Sequence, residues 1–257
     1  QLACAVVLVV AVPSPKLDEL RAGGTPLIFV NRRDPSGAAS PYVGIDNFAA
    51  GRTVAAHCLA RGWCDPVVIH ASIAFSAGRD RLAGFLAGLA EGGVPPENIA
   101  RFGGTGLNHL RLGEQGMDAA LALERRPPAV VCLSDLIAYG AYRRARDAGL
   151  DVPADIAIVS FDDGPLNNWI TPWLSAVRAP HAEFGEAVIR ILDRLLEGET
   201  APDAVLPHEL VVRGGGPEPA AAARDGDRIA SPEGRTAAAS GDPSAAAPHR
   251  KEEGPGF

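Results

Sequence analysis

Two adjacent carboxylates, Asp162 and Asp163, close the apolar run Ile156 to Phe161 in the stretch IAIVSFDDG. Acids at the end of a short β-branched run suit three kinds of chemistry: general acid–base work, a hard metal ion, or acceptance of hydrogen bonds from a polar ligand. Other polar residues stand in comparable places. Asp46 follows YVGI, and Ser134 and Asp135 follow AVVCL. In SAGRDRLAGF, Arg79 and Arg81 open a helical segment, where a cation opposes the macrodipole. That misfit leaves Arg81 two readings: a forked donor to ligand hydroxyls or a carboxylate, or a surface residue paired with a neighbouring acid. Ser134 and Asp135 are both good N-caps. Of Asp162 and Asp163, one can close a turn while the other faces a cleft.

The rest of the chain carries no catalytic or cofactor fingerprint. There is no GxSxG, no P-loop and no HExxH. RFGGTG has close glycines but neither GxGxxG spacing nor a following helix start, so it reads as a turn. Two acids without a further acidic cluster nearby make a poor hard-metal site. Cys4, Cys58, Cys64 and Cys132 show no CxxC spacing, which argues against zinc. Lying in or beside apolar runs, they fit reduced thiols in a cytoplasmic protein. Neither a cofactor nor a metal is expected.

The elements that must position these residues alternate. Strands are predicted at Val6 to Val10, Pro26 to Val30, Tyr42 to Ile45, Val67 to His70, around Ile99 to Phe102, Ala129 to Leu133, Ile156 to Phe161 and Leu206 to Val212. Helices are predicted at Leu17 to Ala22, Ala49 to Ala60, Arg79 to Ala90, Glu114 to Glu124, Leu136 to Ala148 and Glu183 to Leu196, most of them closed by Gly or Pro. Repeated strand–helix–strand order implies parallel sheets covered by helices, with ligands beyond the carboxyl ends of the strands. Asp46, Ser134–Asp135 and Asp162–Asp163 all fall at such ends.

At 257 residues with 47% apolar content the chain can build one or two cored domains. A net charge of −7 gives no general attraction to nucleic acid or to an acidic membrane. LACAVVLVVAVPSP lacks the basic start of a signal peptide and is too short to span a bilayer; it reads as a buried strand. Residue 1 is Gln and the single Met is Met117, so a missing natural start, or a fragment, is the expectation. From Gly214 the composition turns to Gly, Pro, Ala, Ser and charge, which predicts a disordered tail over 214–257.

Several blocks taken together carry a family resemblance: VGIDNFAAGRTVAAHCLARGW, RDRLAGFLAGLAEGGV, PPAVVCLSDLIAYGAYRRARDAGLDVPADIAIVSFDDGPLNNWITPWLSAVRAP and LPHELVVRG. In order and spacing, over roughly residues 5 to 213, the chain resembles the effector-binding core of the lactose-repressor (LacI/GalR) family of transcription regulators. The resemblance implies an α/β protein with two doubly wound parallel-sheet subdomains of periplasmic-binding-protein-like type, the N-terminal one incomplete. One would comprise 1–62 and 179–201, the other 63–178 and 202–213. It implies an effector cleft in which Arg81 and Asp162 contact the ligand, Asp46 is a cleft-facing acid, and Ser134 replaces the Asn that many members carry. Ala179 stands where many sugar-binding members place Gln. The helix-turn-helix that reads operator DNA in the family would be absent from this chain.

The implied partners are a small-molecule effector of sugar type and a second copy of the chain. PLNNWITPW sets two of the three tryptophans in a Pro-bounded loop, and aromatic residues concentrate in interface hot spots. The family's dimer face includes the positions of Tyr139 and Ile170, so Tyr139, Ile170 and Trp169 are the expected contacts. The competing readings are a sugar-binding protein of a transport system, and an enzyme on the same sheet architecture, which fold alone does not exclude.

Overall fold

The computed structural model describes residues 5–9, 13–106, 108–214 and 216–217. The strands are β1 (Val6–Leu8), β2 (Leu27–Val30), β3 (Tyr42–Ile45), β4 (Val67–His70), β5 (Arg101–Gly103), β6 (Ala129–Cys132), β7 (Ala157–Asp162), β8 (Ser175–Arg178), β9 (Ala204–Leu206) and β10 (Glu209–Val211). The helices are α1 (Pro15–Ala22), α2 (Asn47–Ala60), α3 (Ser76–Glu91), α4 (His109–Leu121), α5 (Asp135–Asp147), α6 (Asn167–Ile170) and α7 (His181–Leu196). The strands form two sheets, ordered β1-β2-β3-β9 and β10-β8-β7-β6-β4-β5. Every pairing is parallel except β10 against β8. This is the expected α/β architecture. Strands such as LIFV and AVVC are apolar throughout, and AIVSF is so but for Ser160, because helices cover both faces of a parallel sheet; all these residues are buried.

One apolar core runs through both sheets. Ile28 and Val43 of the first and Val68, Val131 and Val159 of the second share it with Phe85 and Leu89 of α3 and Ile191 of α7. A second core, with Ile69, Val130, Ile137 and Ile158, lies under α4 and α5.

The chain crosses between the sheets near residues 62–66, 179–203 and 207–208. Here the structure corrects the sequence reading. All of 202–213 was assigned to the second subdomain, but the predicted final strand is two strands. β9 pairs with β3 and β10 with β8, with Pro207 and His208 between them. Three residues of apolar alternation suit a half-buried edge strand in either sheet, so periodicity could not assign the break. The expected tail also needs adjustment at its start. Gly216 packs so closely on Trp63 that a Cβ there would meet the indole ring. The Trp63 Nε1 donates to the Pro217 carbonyl at 3.1 Å. Residues 218–257 of the expected tail lie outside the described residues.

The crossing of α2 and α3 matters most for the site. A Cβ at Gly84 would strike the Phe48 carbonyl, and one at Gly51 would strike the Arg81 carbonyl. Only residues without a side chain let the two backbones approach this closely. That approach brings Arg81, on α3, beside Asn47 at the start of α2.

Candidate functional site

Arg81 is 4% exposed, and its guanidinium is the hub of the cleft. Nε donates to Asn47 Oδ1 at 2.8 Å and Nη1 to the Leu133 carbonyl at 2.9 Å. Nη2 pairs with Asp162 Oδ1 at 2.8 Å, and the Phe161 ring lies below, 5.0 Å from Cζ. A cation this buried needs a charge partner and hydrogen bonds. Arg81 has both, drawn from α2, from β7 and from the end of β6.

Asp162 and Asp163 divide the two roles the sequence left open. Asp162 has a single partner, Arg81, and its side chain keeps about a third of its exposure. Asp163 is almost wholly enclosed. It accepts from Arg213 Nη1 at 2.7 Å, Arg213 Nη2 at 3.1 Å, Arg178 Nε at 2.8 Å and Asn167 Nδ2 at 3.1 Å. Burial pushes the Asp163 carboxyl up, but the hydrogen bonds and charge of Arg213, with Asn167 and Arg178, outweigh it and hold the pKa below the usual carboxylate range. Both residues have positive φ, 99° and 48°. A non-glycine residue holds such values only where its surroundings enforce them.

Asp135 also turns inward. It accepts from Ser160 Oγ at 2.5 Å, from the Gly164 amide at 2.8 Å and from Asn167 Nδ2 at 3.0 Å. Burial raises its pKa against those bonds. Ser134, at the N-cap position of α5, makes no side-chain cap bond. Its Oγ is buried with no hydrogen-bond partner among the described residues. An orphaned hydroxyl in native structure calls for an explanation.

Arg81, Asp162 and Ser134 border one cavity of about 460 Å³, between the carboxyl ends of β2 in the first sheet and of β4, β6 and β7 in the second. That is the topological location at which doubly wound sheets hold ligands, and the volume lies within the usual range for small-molecule sites. The fourth expected residue, Asp46, is not there. Its carboxylate accepts the Ala49 amide at 2.9 Å and so caps α2. It lines a separate recess of about 180 Å³ with Arg33, Tyr42 and Asp80. A short acid at the first turn of a helix is held by the helix amides, which keeps it from the cavity.

Sequence reasoning missed the cavity's other wall, Asn31, Arg32 and Phe75. Asn31 has φ 62°, and Arg32 Cζ lies 4.1 Å from the centre of the Phe75 ring. A signal was present, since NRRD follows the buried run LIFV as DDG follows IAIVSF. Among the described residues no group of three or more His, Cys, Asp or Glu is placed to hold a metal ion. No described helix is long and apolar enough to cross a membrane.

Of the expected contact residues, Trp169 is 85% and Ile170 58% exposed, both on α6. The Tyr139 hydroxyl is occupied, donating to Asn167 Oδ1 at 2.7 Å. Trp173 folds back and stacks on Tyr142, with ring centres 4.1 Å apart.

Two parallel sheets joined by three crossings, with a polar cavity where their strand ends face each other, define a ligand-binding core of periplasmic-binding-protein-like type. The family model for the periplasmic binding protein-like domain matches residues 55–215, and the chain belongs to that family, among LacI-type transcription regulators. The HTH-type transcriptional regulator MalR of Streptomyces coelicolor is 35% identical over 211 residues, covering 77% of this chain and 58% of that protein. The repressor PurR of Escherichia fergusonii is 31% identical over 171 residues, 65% of this chain and 49% of that one. This chain thus spans about half the length of such relatives. A LacI transcriptional regulator from a Rhodococcus species has the same fold, with a TM-score of 0.75, 26% identity, and coverage of 85% of this chain and 80% of that one.

Proposed function

We propose that the chain is the effector-binding core of a LacI-type regulator, and that its effector is a small hydroxylated molecule of the sugar class held in the 460 Å³ cavity. The observation that carries this reading is the set of unspent groups facing the cavity. Asp162 retains a free carboxylate oxygen beyond its bond to Arg81, and the buried Ser134 hydroxyl has no partner. A sugar hydroxyl donates to the carboxylate, and a turn of the Ser134 side chain would bring its hydroxyl, closed off from solvent here, to the same ligand. Each bond to a charged group contributes roughly 1.5–3 kcal/mol when well formed. Because the cavity is walled by both sheets, the effector favours one relative setting of the subdomains, and in the whole regulator that preference couples to operator affinity. Calorimetric titration with sugars, polyols and nucleosides tests the reading. A ligand should bind to the wild type and lose at least about tenfold in affinity in both Arg81→Ala and Asp162→Ala. Binding indifferent to both changes would sink the proposal.

The same reading includes a homodimer through α6. The support is a run of exposed apolar side chains at and beside α6, Leu166, Trp169 and Ile170; neighbouring exposed apolar groups mark contact sites. Sedimentation should give a dimer that Tyr139→Asp with Ile170→Asp converts to monomer.

A further inference from the structure

Resting on that effector reading, we infer that the effector carries an anionic group, a carboxylate or phosphate on a hydroxylated skeleton, and that Arg32 receives it. Two arginines border the cavity, and they differ in how far they are satisfied. Arg81 has a carboxylate and two neutral acceptors. Arg32 has, among the described residues, neither a carboxylate nor any hydrogen-bond acceptor within bonding distance; its guanidinium sits over the Phe75 ring alone. A face resting on an aromatic ring leaves the edge donors of the fork unclaimed, the geometry that suits a two-oxygen anion.

Charge accounting points the same way. Asp162 is the one acid of the cavity wall with its carboxylate directed at these arginines, and Arg81 already neutralises it. Asp135 also borders the cavity, but both its oxygens are taken by Ser160, Gly164 and Asn167. Asn167 links it to Asp163, whose arginines Arg178 and Arg213 are matched by Asp163 and Glu209. The wall therefore holds two arginines and two carboxylates, of which Arg32 alone has neither an ion pair nor a hydrogen bond among the described residues. Burial lowers the Arg32 pKa and the Arg81 charge lowers it further, with Asp162 acting in the opposite sense. A partly buried cation next to another cation is stabilised by an incoming anion. Nothing about a neutral sugar requires Arg32; an acid sugar or a sugar phosphate uses it. The unpartnered Ser134 hydroxyl then serves the hydroxylated part of the same molecule.

The experiment is calorimetric titration of the full chain with matched pairs: glucose and glucuronate, galactose and galacturonate, ribose and its phosphate monoester. The expected result is an anionic member that binds at least about tenfold tighter than its neutral counterpart. Its affinity should fall with added salt and drop roughly tenfold to a hundredfold in Arg32→Ala, with part retained in Arg32→Lys. Which anionic arm responds separates carboxylate from phosphate. Because Arg32 has no ion pair among the described residues, Arg32→Ala should melt within a few degrees of wild type, so a binding defect will not reflect misfolding. Neutral sugars that bind as well as their acids overturn the inference, as does an acid whose affinity ignores Arg32→Ala. If neutral binding is nevertheless lost in Asp162→Asn, the effector reading stands alone. If no pair binds, both fall.

Discussion

Asp162 and Asp163 are consecutive in the chain, end the same strand and each engage arginine, yet one cluster is closed and the other open. Asp163 accepts four hydrogen bonds from three side chains, two of them charged. It ties β7 to β8 and to the segment after β10, and it has no lone pair left for anything else. Asp162 accepts one hydrogen-bonded ion pair, from an arginine whose other donors go to α2 and to the end of β6. Its second oxygen faces a cavity whose wall also holds Ser134 and Arg32, neither of them hydrogen-bonded through its side chain among the described residues. Burial of charge alone does not mark a binding site; residual hydrogen-bonding capacity facing a void does.

The sharpest way to break this contrast is to remove each acid in turn. Asp163→Ala leaves two arginines without their carboxylate, and deleting one side of a buried pair costs about 3–5 kcal/mol. Asp162→Asn takes the charge partner from the buried Arg81 but leaves an amide oxygen to accept from it, so it should cost less, roughly 1–3 kcal/mol, and Asn tolerates the positive φ. Urea denaturation measures both; equal losses would erase the distinction. Next in size is Gly84→Ala. Its Cβ would push α3 from α2, a change costing roughly 1–3 kcal/mol, and should weaken effector binding by displacing Arg81 without touching the cavity. Unchanged binding would mean that the helix crossing does not set the site.

Acid titration sharpens the comparison further. Asp163 has a folded pKa below its unfolded value, so its contribution is full above the ordinary carboxylate pKa of about 4 and is lost as pH falls through the lower folded value. The stability gap between wild type and Asp163→Asn should therefore narrow below about pH 4. Asp135, raised by burial, works against this trend, because a group that protonates more readily when folded gains stability on acidification. The smallest expected effect is Ser134→Ala. Removing a buried hydroxyl without a partner should be neutral, or stabilise the ligand-free protein by about 1 kcal/mol, while weakening the effector. A clear loss of stability would reveal a partner for the hydroxyl.

Much of the fold could be read in the linear sequence because its signals are local. Apolar runs such as VVIH and AVVC, each followed by a helical period and a Gly stop, establish parallel strands with covering helices. Polar residues after those runs direct attention to the strand ends, and the family blocks mark Arg81 and Asp162 as residues of one cleft; their direct pairing, at 2.8 Å, is visible only in the structure. The allocation of acids to tasks was not local. Asp46 and Asp162 look alike as acids after a strand, but a helix amide claims the first and an arginine from another element the second. The choice between Asp162 and Asp163 depends on Arg213, distant by 50 positions, and on Arg178, distant by 15. The cavity's far wall, Asn31 and Arg32, belongs to the other sheet. Short-range hydrophobic patterning determined the elements and their order, because each depends on residues a few positions apart. Which charges are spent on the scaffold and which are left over for a ligand was decided only when the two sheets and the α2–α3 crossing brought distant side chains within hydrogen-bonding range.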